Sequence, residues 1–463
     1  TYYLLNAVKV IWSDVRDINV LFILLPPLLS SIYFALILPI SYDEALTYIL
    51  FTDNPILYCI SSYPFPNNHI FHSIITHITK HLPLFDILFK LRVSSIIVSF
   101  FTWVIAYSFV KRYYSKKVAL FVVAISSMLF MSIYYSYMSR GYALVTLFFV
   151  ISFFATYNII KLGNRKRDWA IFSICSVLGL YTVPSYLYPF VTLNLIILIF
   201  NYKNIKNQFC FNVGITLVTL LCYLPIILHE GFGVLSAPRR SLDSVLALFP
   251  IFFKNTFSEI FGFQPLYVII VIAIPFIFAL IKKRKNILIL WFIFGVTPVV
   301  FLLLHSVIPF PRTFVYYAFV ILFLAGISLN EYIDLINTKL LVIILLCIQI
   351  GLFFNFKNDI IQYEGFNIDF HDVSSKFIEE DKTYYVLSGL NIESHKFEMQ
   401  LRGYDYSDSK YDRVFLDFEN FKNVDTDTLK GYFDYIIIDK EWDRTINRKP
   451  IYENKTLNVY EMK

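Results

Sequence analysis

The chain has 463 residues, 57% of them apolar and only 16% charged, with a mean hydropathy of +0.61. An ordinary soluble domain is about 25% charged, so these values exclude a string of soluble domains, a disordered chain and a disulfide-stapled secreted module, and describe a polytopic membrane protein. The net charge of +6 divides into a basic part, residues 1–356 at +13, and an acidic tail, residues 357–463 at −7. The partners expected are membrane lipid and membrane-borne substrates, with no nucleic acid.

A helical span needs about 20 apolar residues. Eleven are predicted, near 19–39, 93–110, 118–134, 141–160, 169–182, 186–200, 209–228, 265–281, 287–304, 314–329 and 340–356. Residues 1–18 carry Lys9, Asp14, Arg16 and Asp17 ahead of a full-length apolar stretch, which reads as a retained first span rather than a cleaved signal. The fifth and sixth spans meet in a tight turn at Thr182–Ser185. Cys59, Cys175, Cys210, Cys222 and Cys347 stand at neither metal nor disulfide-framework spacing.

With eleven spans, the basic loops fall on one side: Lys111-Arg112 and Lys116-Lys117, Lys161 and Arg165–Arg167, Lys203 and Lys206, and Lys282–Lys285. The orientation rule makes that side cytoplasmic, together with the N-terminus. The expected setting is a bacterial inner or plasma membrane. The opposite face carries two outer loops, 40–92 and 229–264, and the tail. Arg140 and Arg312 lie on that face against the rule and so call for a reason.

The expected domains are therefore a transmembrane domain over 1–356 and a soluble extracytoplasmic α/β domain over 357–463. In the latter, Thr383–Ser388, Arg413–Phe418 and Tyr435–Asp439 read as strands, Thr426–Phe433 as a helix, and Lys449–Tyr452 with Leu457–Glu461 as a terminal hairpin. It has no glycine-rich phosphate loop.

Four segments on the outer face carry residues suited to chemistry. Ser41–Tyr48 places the adjacent carboxylates Asp43 and Glu44 at the membrane boundary, where partial desolvation favours proton acceptance near neutral pH. The same segment also reads as an interfacial helix start, with Ser41 as N-cap. From Asn67 to about Lys90 an amphipathic pattern sets Ile70, Phe71, Ile74, Ile75 and Ile78 against His69, His72, Ser73, Thr76 and Lys80, which predicts a helix lying on the outer membrane surface. His69 and His72 could share a metal with Asp43 or Glu44, but histidines on such a face are more often plain hydrogen-bonding residues. Arg140-Gly141-Tyr142 opens the fourth span, Arg239-Arg240 lies in the second long loop, and Pro311-Arg312 caps the tenth span. A guanidinium suits phosphate because its fork makes two parallel hydrogen bonds.

This layout resembles the GT-C superfamily of integral membrane glycosyltransferases, nearest to the branch holding the lipid A aminoarabinose transferase and the protein O-mannosyltransferases. The residues that carry the resemblance are Asp43-Glu44 and Tyr48 after the first span, the Asn67-Asn68-His69 segment, Arg140-Gly141-Tyr142 and Pro311-Arg312, over about residues 1–330. The fold it implies is a polytopic α-helical membrane protein, GT-C-like with about eleven transmembrane helices, plus the C-terminal extracytoplasmic α/β domain. It implies a polyprenyl-phosphate sugar donor and an inverting transfer to a hydroxyl on a glycolipid, cell-wall polymer or protein. Asp43 would be the general base and Glu44 its partner. Tyr48, Asn68, His69 and Tyr142 would bind substrate, and Arg140, Arg239, Arg240 and Arg312 would meet the leaving phosphate. No cofactor is expected, although a divalent cation is used elsewhere in the superfamily. A lipid-linked sugar flippase or transporter is the alternative, but no internal repeat is present and the ionisable residues lie at span ends. A purely structural assembly protein would show no cost on Asp43→Asn.

Overall fold

The computed structural model describes residues 12–64, 67–83, 86–235, 240–262, 268–379, 382–387, 392–404, 433–440 and 449–461. Each of the eleven predicted spans is mostly helical over its described residues, with interior breaks at 127–129 and 315–316. Among the described residues, eight helices are long and apolar enough to cross a membrane, and a bent pair adds a ninth. That pair is the third predicted span, in which Lys116–Ser126 and Phe130–Tyr137 meet at 71°. The shorter pieces are Lys166–Thr182, Leu187–Phe200 and Ile274–Ile281.

Local signals set the helix starts. Asp17 caps Ile18–Ile37 by accepting from Asn19 N–H, Asp86 caps Ile87–Tyr113 through Phe89 N–H, and Ser115 caps Lys116–Ser126 through Val118 N–H. Packing then ranks the helices. The tenth span, Pro311–Ser328, is 83% buried and forms the centre of the bundle, whereas Tyr202–Glu230 is 17% buried and stands at its edge. Gly326 lets the central span lie against Lys116–Ser126, since a Cβ there would stand 2.7 Å from Val122 Cγ2.

Two expectations about the outer loops are corrected. The surface helix does not run to Lys90. It spans Ile70–Thr79, and the polar residues His72, Ser73 and Thr76 are buried along with Ile70 at its start, while Ile78 is 67% exposed. The polar face has buried partners waiting for it, so the helix turns that face inward. The loop at 229–264 contains a helix, Leu242–Phe261, that meets the length and composition of a span. It nevertheless begins and ends on one face. Arg240 N–H donates to Ser306 O just beyond Lys285–His305, and the helix packs on Phe130–Tyr137 and Pro311–Phe314. This helix roofs the Asp43 side.

The last span runs as Thr338–Tyr363, past residue 356, and continues after Glu364 as Gly365–Phe377. The tail then forms a four-stranded sheet of order β1-β2-β4-β3, from Tyr384–Leu387, Tyr435–Asp439, Tyr452–Glu453 and Leu457–Glu461. β1 and β2 are parallel, and β4 runs antiparallel to both β2 and β3. The strand expected at Arg413–Phe418 lies outside the described residues, as does the helix at Thr426–Phe433 apart from Phe433. A helix not expected from the sequence, Ile392–Leu401, packs against Tyr42–Thr47.

Gly326→Ala is expected to lower the thermal unfolding midpoint in detergent, because overpacking of this kind costs about 1–3 kcal/mol. Gly351→Ala, whose Cβ would meet nothing within 4 Å, is the control and is expected to leave the midpoint unchanged or slightly raised.

Candidate active site

The site is built around a short helix, Tyr42–Thr47, that follows the first span. Its start is a capping box: Ser41 Oγ accepts from Glu44 N–H, and Glu44 Oε2 accepts from Ser41 N–H at 3.1 Å. Adjacent residues on a helix point about 100° apart, so Asp43 and Glu44 have separate surroundings.

Glu44 is 1% exposed. Arg92 grips it with two hydrogen bonds, Nε to Oε1 at 3.0 Å and Nη2 to Oε2 at 2.6 Å. Ser139 N–H adds a third at 2.6 Å. Arg92 also donates to the carbonyls of Ala35, Leu38 and Pro39 at 2.7–3.0 Å, closing the C-terminal end of the first span, where carbonyls lack helical partners. The expected base partner is therefore the hub of a buried ion pair: burial pushes its carboxyl up, but the Arg92 charge and the hydrogen bonds from Arg92, Ser139 and Ser41 outweigh that and hold it below the ordinary value. Arg92 was not foreseen. The signal was present, because it is a cation at the same end of the bundle as Arg140 and Arg312, opposite the basic loops.

Arg140 is 1% exposed. It donates to Asp43 O, Thr47 Oγ1, Asn67 O and Asn67 Oδ1. His69 lies beside it: its Nδ1 accepts from Gly141 N–H at 2.8 Å, and its Nε2 stands 3.2 Å from Arg140 Nη2. Gly141 has to be small, since a Cβ would stand 2.5 Å from Thr182 Cγ2 and 3.1 Å from the His69 ring. His72 Nε2 meets Ser139 Oγ at 3.3 Å. Burial, reinforced by the Arg140 charge, pushes both histidines down, His72 to about 3. Asn68 braces the preceding loop, donating to Cys59 O and Ser62 O and accepting from Ser73 Oγ. Among the described residues, no group of three or more His, Cys, Asp or Glu is arranged to hold a metal.

Asp43 has a different environment. Its carboxylate meets Arg312 Nη1 at 3.1 Å, and the two side chains are 24% and 26% exposed. Arg312 stacks on Phe310, its carbon 4.4 Å from the ring centroid, and its Nε has no hydrogen-bond partner among the described residues. Tyr142, packed edge-on to His69 and tilted against Tyr135, lies within electrostatic reach of Arg312, as do Tyr363 and Glu259 from the roofing helix. Tyr48 is directed elsewhere: its hydroxyl donates to Asp53 Oδ1 and accepts from Gln400 Nε2, and its ring packs on Phe397 of the tail. Tyr42 N–H donates to Asn367 Oδ1, a second tie to the tail. Arg239 lies outside the described residues. The exposed Arg240 side chain makes no contact with the Asp43 cluster among the described residues.

From the Arg312 end of the bundle an apolar cavity of about 1030 Å³ extends between the helices. Phe257, Leu304 and Tyr317 line the end nearest the site, and Leu280 and Leu288 lie toward the other face.

The sequence matches no protein-family model and no curated protein. The structure does have counterparts among solved structures. ArnT from Cupriavidus metallidurans bound to undecaprenyl phosphate superimposes with a TM-score of 0.63 at 11% identity, over 95% of this chain and 97% of that one. The apo form of the same protein gives 0.64 with the same identity and coverage. This chain has the ArnT fold. The resemblance drawn from the sequence to the aminoarabinose transferase branch thus holds for the architecture, including the tail.

Removing Arg92 leaves Glu44 buried without its cation and three carbonyls without a donor. Loss of one partner of a buried pair costs about 3–5 kcal/mol. Arg92→Met is therefore expected to unfold at markedly lower temperature, and Arg92→Lys to restore little, since an ammonium cannot reproduce the fork.

The two histidines make stability depend on pH. Their folded pKa values lie below the unfolded value of about 6.5, so their contribution is intact above pH 6.5. Below it the unfolded chain takes up protons that the folded chain refuses, and stability falls by up to about 1.4 kcal/mol per pH unit for each histidine. The expected result is a falling unfolding midpoint between pH 6.5 and pH 4, with a shallower slope in His72→Gln.

Proposed function

We propose that the protein transfers a sugar from a polyprenyl-phosphate donor to an acceptor hydroxyl at the extracytoplasmic face, with inversion. One observation carries the reading. Among the charged groups gathered beneath the roofing helix, Glu44, Arg92 and Arg140 are buried and engaged with protein, whereas Asp43 and Arg312 face each other as a partly exposed ion pair. A displacement needs such a pair: a base for the acceptor proton and a cation for the departing phosphate.

In this reading the acceptor oxygen attacks the anomeric carbon as the bond from that carbon to the phosphate oxygen breaks. The phosphate leaves with the bonding electrons, and Asp43 takes the proton. Arg312 holds the phosphate charge by turning its unused N–H groups to it. Before donor binds, Arg312 holds Asp43. Donor phosphate competes for the guanidinium and so frees the carboxylate when a substrate is in place. The polyprenyl chain lies in the apolar cavity that opens beside Arg312 and crosses the bundle. ArnT, with the same architecture, binds undecaprenyl phosphate, which supports a carrier of this class. The basic loops support an orientation with the N-terminus cytoplasmic and the tail outside. Arg140, His69, Asn68 and Glu44 shape the site from behind, and Tyr142 forms its wall.

The test is release of label from radiolabelled polyprenyl-phosphate sugars by purified protein. Asp43→Asn is expected to lower turnover about 10²–10⁴-fold while carrier binding is retained. Arg312→Ala is expected to weaken carrier binding as well as turnover. Full turnover by Asp43→Asn would remove Asp43 as the base. Carrier binding without release by the wild-type protein for any donor would favour the flippase reading.

A further inference from the structure

A second pocket lies at the other face of the bundle. It has a volume of about 310 Å³, and its lining includes Thr156, Tyr157, Lys161 and Asn286 together with apolar residues such as Phe153, Ile196 and Leu290. Four helices fix its place. Lys161 ends Tyr142–Lys161, whose first residue touches the active site; Tyr114 follows Ile87–Tyr113; Asn286 begins Lys285–His305; and Ile327 nearly ends the span that starts at Arg312. Each helix has its other end on the Asp43 side. A 20-residue helix is about 30 Å long, so the pocket lies a membrane's thickness from Asp43 and belongs to a different site. It is also distinct from the large apolar cavity: Ile287 and Leu290 face this pocket, while Leu288, Ile289 and Trp291 line the other.

The lining has two chemical ends. At the rim, Lys161 is exposed and has no carboxylate partner among the described residues, its ammonium 6.0 Å from the Tyr157 ring centroid. Some neighbouring cations of this face are paired, Lys111 with Asp14, Lys116 with Asp17, and Lys282 and Arg284 with Glu331. Deeper in, Thr156 is 2% exposed, and its hydroxyl has no partner among the described residues. A buried hydroxyl ordinarily has one. The remaining wall is hydrocarbon and aromatic. An unpaired cation at a rim, an unsatisfied hydroxyl below it and an apolar floor match, in order, a phosphate, a glycerol or ester oxygen and an acyl chain. Basic pockets between membrane helices bind anionic head groups for this reason.

We propose that this pocket seats an anionic phospholipid of the leaflet opposite the active site, its phosphate on Lys161, a backbone oxygen on Thr156 and one acyl chain against Phe153, Ile196 and Leu290. The lipid extends the contact that Phe149 and Phe153 make with Phe294 toward the ends of Tyr142–Lys161 and Lys285–His305, and so reinforces the tie between a helix that begins just after Arg140 and one that borders the apolar cavity.

The test is native mass spectrometry of the full chain released from detergent, titrated separately with phosphatidylglycerol and phosphatidylcholine. Wild-type protein is expected to retain phosphatidylglycerol preferentially. Lys161→Gln removes one surface cation and is expected to lower that retention about fivefold, the value of one lysine on an anionic lipid. Leu290→Trp fills the floor and is expected to lower it as well, with thermal midpoints confirming that each variant is folded. Arg312→Ala, on the other face, is expected to leave it unchanged. Equal retention of the two lipids by wild type, or undiminished retention by Lys161→Gln, overturns the proposal. Loss of retention in Arg312→Ala assigns the lipid to the outer site and overturns it too. Displacement of phosphatidylglycerol by an equal concentration of polyprenyl phosphate, with that binding sensitive to Lys161→Gln, overturns the phospholipid assignment in favour of the carrier.

Discussion

The guanidinium of Arg92 joins three distant parts of the chain at the membrane boundary. It terminates the first span through the carbonyls of Ala35, Leu38 and Pro39, and it holds Glu44, which in turn accepts from Ser139 N–H. A cation buried at this depth is tolerable only if its donors are met, and a carboxylate only if it is paired. The pair thus imposes the geometry of its surroundings: the first span ends where Arg92 can reach it, and the Tyr42–Thr47 helix lies where Glu44 can be gripped. Asp43, one residue earlier, is then turned toward Arg312.

Arg140 repeats the arrangement on the other side of the same short helix. By taking Asp43 O, Thr47 Oγ1 and the Asn67 amide, it fastens the helix to the loop before Ile70–Thr79. Two buried arginines thus make a rigid backing from which one carboxylate projects. Rigid support of this kind is what a base needs, since its reach to a substrate proton is a matter of tenths of an ångström. The tail adds a further hold. Asn367 accepts from Tyr42 N–H while donating to Glu364, and Phe397 and Gln400 engage Tyr48. The acidic domain is in this way part of the wall of the site, joined to the bundle by a helix that scarcely breaks at Glu364.

Much of the architecture was legible in the sequence, because the membrane makes hydrophobic length a direct report of structure. Every predicted span is mostly helical over its described residues, and four of the five expected tail strands appear at or within a few residues of their predicted places, the fifth lying outside the described residues. The site was legible in its residue types and less so in their roles. Cations on the outer face marked Arg140 and Arg312, and the same criterion applies to Arg92, which stood one residue before the expected second span and was taken with the loop. The helix at Ile70–Thr79 shows the limit most plainly. Its amphipathic pattern was read correctly as a helix and assigned to the membrane surface, but a pattern of two faces does not say which face meets protein. Here Thr52, Asn68 and Ser139 supply partners for Thr76, Ser73 and His72, so the polar face is the buried one.

The sequence by itself determined that this is a polytopic helical membrane protein, and that two carboxylates, histidines and arginines gather near the first, fourth and tenth predicted spans. Length, hydropathy and charge are local quantities, and a bilayer converts them into position. Only the tertiary structure decided that Glu44 and Arg140 are buried in the backing, that Asp43 and Arg312 are left as an accessible pair, and that the helix in the second long loop roofs the site instead of crossing. Those outcomes depend on which buried donor finds which acceptor across a separation of 48 to 97 residues in the chain. No local pattern encodes that pairing, because it is settled by the cost of leaving any one of these groups without a partner once the helices have packed.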